Sequence, residues 1–204
     1  MSAPPLPEVP RERRSYPKGV ARRQEILDRA IEVFAKRGAQ RTSLRAIAQE
    51  VGVTHGALTH YFGSLEELLV AVYHESELRL DGDAPAGSEV TPAEMMRVSA
   101  EENREIPGMI QLYSTLVATA LEDGHSAAQE FATQRFARLR EELARRVRHL
   151  QSVGRIRTDV DPGLVAALTI AASDGLQSQW LLDETVDHEG ALAMLDRLFA
   201  NPSN

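Results

Sequence analysis

The stretch Ile47-Ala48-Gln49-Glu50-Val51-Gly52-Val53-Thr54-His55-Gly56-Ala57-Leu58-Thr59-His60-Tyr61 constrains the fold of this chain more than any other. Two short helices that cross steeply need a small residue where they touch, a residue that tolerates positive φ in the turn, and apolar pins on both members. Ala48 is the small residue, Gly52 the turn, and Ile47, Val51, Val53, Leu58 and Tyr61 are the pins. That is the full spacing of a helix-turn-helix. It follows an amphipathic segment from Lys18 to Arg37, in which Ile26, Leu27, Ala30, Ile31 and Phe34 share a face and which Gly38 ends. Thr42 or Ser43 offers the N-cap oxygen of the second helix, Leu44 to Val51, and the third runs from Thr54 to about Tyr61.

Charge divides the chain at the same place. The net charge is -7, but residues 1–63 carry 11 Lys+Arg against 6 Asp+Glu, and residues 64–204 carry 12 against 24. A basic third suits a polyanion that the acidic remainder would repel, so a nucleic acid is expected to dock at one end of the molecule. The remaining residues of the third helix, Thr54, His55, Gly56, Thr59 and His60, are short and polar, which lets its backbone approach DNA closely. Arg45 on the polar face of the second helix, and Thr54, His55 and Ala57 near the start of the third, stand where base edges are met; a solvated helix residue is the alternative for each. Thr42 caps a helix start that is itself a natural phosphate site. Residues 1–17, rich in Pro and holding Arg11, Arg13 and Arg14, read as a disordered basic arm.

Ser64 with Glu67 opens a fourth helix to about Leu80, and Asp81 to Val90 is the clearest boundary in the chain. Beyond it every element again reads as helix. Thr91-Pro92-Ala93-Glu94 opens one to about Glu105, Pro107 to Glu122 gives another, and Ser126 with Gln129 opens a long one ending at Gly154. Asp161-Pro162 begins a helix to about Leu182, and Ala191 to Phe199 marks the last. The fold class is all-α. Gly163 to Ala172, the longest nearly apolar run, is half what a membrane-spanning helix needs and contains Thr169. No signal peptide precedes Lys18, so a cytoplasmic location is expected. Cysteine is absent, which excludes disulfides and thiolate chemistry.

Residues 18–69 resemble the DNA-binding domain of TetR-family transcriptional repressors. The resemblance rests on Ile26-Leu27, Ala30, Phe34-Ala35, Gly38, Thr42-Ser43, Ile47-Ala48, Val51-Gly52-Val53, Leu58, Tyr61-Phe62, Ser64 and Glu67-Leu68. Glu101 to about Glu184 is similar to regulatory domains of one actinobacterial-looking branch. The resemblance implies a homodimer, a ligand-responsive helical body and repression of nearby genes. It also marks two departures: TetR-like sequences place a tyrosine where Thr59 stands and a lysine where Leu65 stands, both commonly on backbone phosphate. Phosphate contact would then rest more on Thr42, His60, Tyr61 and the arm.

The expected organisation is therefore an arm over 1–17, a DNA-binding head over 18–63 and a ligand-binding and dimerising body over 64–204. Methionine and aromatic residues line adaptable apolar pockets, so Met95, Met109, Tyr113, Phe131 and Trp180, with Gln177 to orient a polar group, are candidates for an effector cavity; core packing is the alternative for each. Ala166, Ala167, Ala171, Ala172 and Gly175, with Leu192, Leu195 and Phe199, are candidates for a dimer interface. His55 and His60 are five apart and no acid completes a ligand set, so no metal is expected. His74, His125, His149 and His188 read as surface or partnered residues, and Glu66-Glu67, Glu101-Glu102 and Glu141-Glu142 as solvated faces. No cofactor or catalytic grouping can be assembled. Beside a regulator stand two alternatives: a small helical lipophilic-ligand carrier or enzyme, and an interaction module whose head has lost DNA binding through Thr59 and Leu65.

Overall fold

The structure, a computed structural model, describes residues 17–37, 44–80, 89–104 and 106–202. Residues 1–16 of the arm, Gly38, Thr42 and Ser43, and most of the boundary segment lie outside the described residues, as does the side chain of Arg45; Pro17, read as the end of the arm, is instead the first residue of a helix. Among the described residues there are nine helices: α1 Pro17–Arg37, α2 Leu44–Val51, α3 His55–Phe62, α4 Leu65–Leu80, α5 Pro92–Arg104, α6 Pro107–Thr119, α7 Ser126–Ser152, α8 Pro162–Leu182 and α9 His188–Phe199. The one extended pairing among them is a single antiparallel bridge, Ile156 to Ala200, which ties the α7–α8 connection to the chain beyond α9.

Local chemistry accounts for most of the helix starts. The hydroxyls of Thr54, Ser64 and Thr91 accept the backbone N–H groups of Ala57, Glu67 and Glu94 at 3.0–3.1 Å. The carboxylates of Asp161 and Asp187 do the same for Leu164 and Gly190. The start of α7 differs from the expectation. Ser126 is already helical, its cap position His125 makes no side-chain cap bond, and the free N–H of Ala128 is taken by Glu66 Oε1 of α4 at 2.7 Å. Glu66 is therefore not a solvated face: its other oxygen lies 2.7 Å from His125 Nδ1. One acidic side chain in the first turn of α4 closes the first turn of α7.

Packing runs straight through the position where head and body were expected to divide. Ile26, Leu27, Ala30 and Phe34 of α1, Ala48 and Val51 of α2, and Leu58 and Phe62 of α3 belong to one buried cluster. That cluster also holds Leu68 and Val72 of α4, Leu112 and Leu116 of α6, and Phe131 of α7. A second cluster joins α5, α7, α8 and α9 through Met96, Leu143, Ile170 and Leu192. Among the described residues no helix is long and apolar enough to cross a membrane.

Candidate functional site

The α2–α3 turn is built as the sequence requires. Gly52 has φ +71°, a left-handed conformation that a side chain would strain, and Val53 N–H reaches back to the Ala48 carbonyl at 2.9 Å. A contact that the local pattern did not reveal completes it. Arg29 of α1 donates to the Val51 carbonyl at 2.9 Å and so closes the end of α2. Leu58 and Phe62 fasten α3 to the core, and the Arg23 guanidinium lies 4.9 Å from the Phe62 ring centroid.

With those pins inward, α3 turns a polar face outward. Thr54, His55, Gly56, Thr59 and His60 are exposed, and a side chain placed at Gly56 would meet nothing within 4 Å. Ala57 and Tyr61 are half-buried, Tyr61 packing on the core with its ring edge to His60. The hydroxyl of Thr54 is occupied as the helix cap, and that of Thr59 donates to the His55 carbonyl at 3.1 Å, so the one proton Thr59 could offer a phosphate is used inside the helix. Leu65 packs against the core.

The residues singled out as cavity candidates do not surround one space. Met109, Tyr113 and Phe131 are buried in the first cluster, Met95 packs against the second, Gln177 is buried and donates to Ser173, and Trp180 lies near the Arg104 guanidinium. A cavity of about 520 Å³ lies instead between α1, α3, α4 and α7, with Leu27, Phe62, Val70 and Phe131 among its apolar walls and Glu77 and Arg135 at its edge. A smaller one, about 270 Å³, lies among α5, α8 and α9 and includes Thr91, Thr169 and Asp196. Of the candidates, Phe131 alone borders either.

Beside Phe131 sits a half-buried polar chain with no local sequence signature. Tyr113 of α6 donates its hydroxyl to Asp174 Oδ2 of α8 at 2.9 Å, and Arg135 of α7 lies over the Tyr113 ring and donates to Glu77 of α4. Burial, followed by the adjacent Asp174 charge, pushes the Tyr113 phenol far above its ordinary range. Burial also raises the Asp174 carboxyl, against the opposing effects of the Tyr113 hydrogen bond and the Arg135 charge.

His188, expected at the surface or partnered, is 2% exposed, and its Nε2 has no hydrogen-bond partner. Burial first and the Arg104 charge second hold it below the usual imidazole value, against Glu189. Between about pH 6.5 and that lower value the unfolded chain binds a proton that the folded chain does not, so stability falls as pH drops, at most by about 1.4 kcal/mol per pH unit. The midpoint loss in urea between pH 7.5 and 5.5 is expected to shrink in His188→Leu. An unchanged loss would show that His188 is not its source.

Three comparisons bear on what this arrangement belongs to. Residues 26–72 match the model for bacterial regulatory proteins of the tetR family, and residues 96–201 match that for the C-terminal part of BetI-type transcriptional repressors. The HTH-type transcriptional repressor Rv1474c of Mycobacterium tuberculosis is 24% identical over 86% of this chain and 90% of its own length. The HTH-type transcriptional repressor AcnR of Corynebacterium efficiens is 35% identical, over 42% of this chain and 44% of AcnR, so the match spans less than half of that relative. The solved structure of the multidrug binding protein EbrR complexed with imidazole superposes with a TM-score of 0.62 at 27% identity, covering 97% of this chain and all of that one.

Proposed function

The chain belongs to the tetR family of bacterial regulatory proteins and is a transcriptional repressor of that family, and from this premise we propose that it binds a palindromic operator as a homodimer and leaves it when a small molecule occupies the helical body. Such a protein is a DNA-binding regulator and not an enzyme. The observation that carries the operator reading is the outward polar face of α3. Thr54, His55 and Ala57 stand at the end of the helix that enters a major groove first, while Thr59, His60 and Tyr61 stand toward its other end, where phosphates pass. Arg45, on α2, and Thr42, two positions before α2 begins, join the proposed interface by their sequence positions. The head over 18–63 and the body over 64–204 are then functional divisions that share one buried cluster.

Support for the dimer comes from α8 and α9. Leu164, Leu168 and Leu182 of α8 and Met194 and Leu198 of α9 are each more than half exposed, an apolar face left uncovered by the described residues. Ala166 and Leu192, taken from the sequence as interface candidates, are instead buried within the chain. To bind a palindrome, two-fold pairing of α8 and α9 has to set two recognition helices roughly 34 Å or a little more apart, one turn of DNA.

The body is proposed to hold the effector, with Tyr113 and Phe131 at its polar chain; Met95, Met109, Gln177 and Trp180 do not share that space and remain candidates by sequence position. EbrR is described as a multidrug binding protein, which favours a small-molecule role for the corresponding body here. An effector preferring the DNA-incompetent state about 100-fold shifts the equilibrium by about 2.7 kcal/mol.

Selection of bound duplexes from a random pool at near-physiological salt tests the operator reading: one enriched palindrome is expected, and no enrichment by a folded dimer would sink it. On that operator, His55→Ala is expected to lose about 1–3 kcal/mol and to relax preference at one base position. His60→Ala is expected to weaken all sequences alike. Competition binding with single-base operator variants separates the two, and equal losses across all bases for His55→Ala would move that residue to the phosphate contacts.

A further inference from the structure

The half-buried polar chain beside the 520 Å³ cavity surrounds one of the protein's own cations with aromatic rings and carboxylates. The Arg135 guanidinium carbon lies 4.8 Å from the centroid of the Tyr113 ring and 5.4 Å from that of Tyr73. Those two rings are stacked 5.2 Å apart, and Phe131 stands edge-on to Tyr73 at 5.5 Å. Glu77 accepts from Arg135 Nη1, and Asp174, across Tyr113, supplies a second carboxylate. Aromatic faces flanked by carboxylates attract cations, and a planar cation bearing N–H groups gains charge-assisted hydrogen bonds that a quaternary ammonium cannot make.

Arg135 fills this place imperfectly. Its Nε is buried with no hydrogen-bond partner, a deficit in an otherwise satisfied cluster. Its departure would not strand Glu77, because Arg138 lies 3.5 Å from the other Glu77 oxygen. A route also exists, since Phe131, Glu77 and Arg135 all border the 520 Å³ cavity, whose apolar walls offer room for the remainder of a ligand.

We propose that the Tyr73, Tyr113, Phe131, Glu77 and Asp174 cage is a binding site for guanidinium and amidinium compounds, with Arg135 holding the place until one displaces it. This deepens the effector reading above and rests on it for the consequence: the Arg135–Glu77 pair is one of the polar ties between α7 and α4, the helix that leaves the head, and a ligand cation would replace it, leaving the longer Arg138–Glu77 pair as the charge contact at that point.

Calorimetric titration of the full chain with benzamidine tests the site without reading DNA. Arg135→Ala is expected to bind one benzamidine per chain at least about tenfold more tightly than the wild type, which must first expel its own guanidinium. Choline is expected to bind that variant at least about tenfold more weakly than benzamidine, lacking the N–H bonds. Adding Tyr113→Leu is expected to abolish the gain. Equal benzamidine affinity in wild type and Arg135→Ala, equal affinity for choline, or indifference to Tyr113→Leu would each overturn the proposal.

Should Arg135→Ala not fold, millimolar ethylguanidinium is expected to restore its far-UV circular dichroism where tetramethylammonium does not, and recovery with neither would overturn the proposal equally. Benzamidine binding with no change in operator affinity would leave the site standing and count against the effector reading. Operator release by other compounds, with no benzamidine binding, would do the reverse.

Discussion

Leu168→Arg is expected to be monomeric in light scattering and to lose operator affinity by about 10²- to 10⁴-fold, the range over which two linked heads exceed one. Leu168 is 55% exposed in the middle of the outward apolar face of α8, so the substitution removes nothing from the chain's own core. On a two-fold interface it enters twice, and each guanidinium must be buried without a partner or keep the subunits apart; unpaired burial costs several kcal/mol per ion. The helices should remain, because Ala166, Ile170 and Ser173 on the inward side of α8 are untouched. A dimer with wild-type operator affinity would place the interface elsewhere on the molecule.

Leu58→Ala is expected to cost about 2–5 kcal/mol and to abolish operator binding, the largest stability effect among the single changes considered. Leu58 is fully buried and is one of the two pins that hold α3 against the core. Its cluster continues through α4 and α6 into α7, so the loss should not appear as separate melting of a small head. Urea unfolding followed by circular dichroism should show one cooperative transition moved to lower urea. A new early transition, with the remainder at its original midpoint, would show that the head unfolds by itself and that the shared cluster does not couple it to the body.

What the sequence alone determined is largely what neighbours along the chain decide. Helix periodicity, the Ser64, Thr91 and Asp161 caps, and the positive φ of Gly52 all arise from groups within a few residues of one another, and all were legible, whereas Thr54 reads as the first residue of α3 and is instead its cap. The α3 residues left to face outward were legible for the same reason, since knowing the Leu58 pin places the rest of the turn around it. Thr59 could be placed on that face, but its commitment to the His55 carbonyl depends on a rotamer that spacing does not specify.

Tertiary structure decided the contacts whose partners lie far apart in the chain. Glu66 reads as one of two adjacent surface acids until α7 is brought beside it, when its two oxygens close that helix's first turn. Periodicity says which residues of α8 share a face but not which face meets α7, so Leu164 and Leu168 could be distinguished from Ala166 only by packing. Tyr113, Phe131 and Met109 could equally have lined a cavity or filled the core, because the same apolar volume serves both until the surrounding helices fix the remaining space. The placement of Arg135 between Glu77 and Tyr113 follows from the meeting of α4, α6 and α7, and each of those helices taken separately shows only an ordinary charged or aromatic residue.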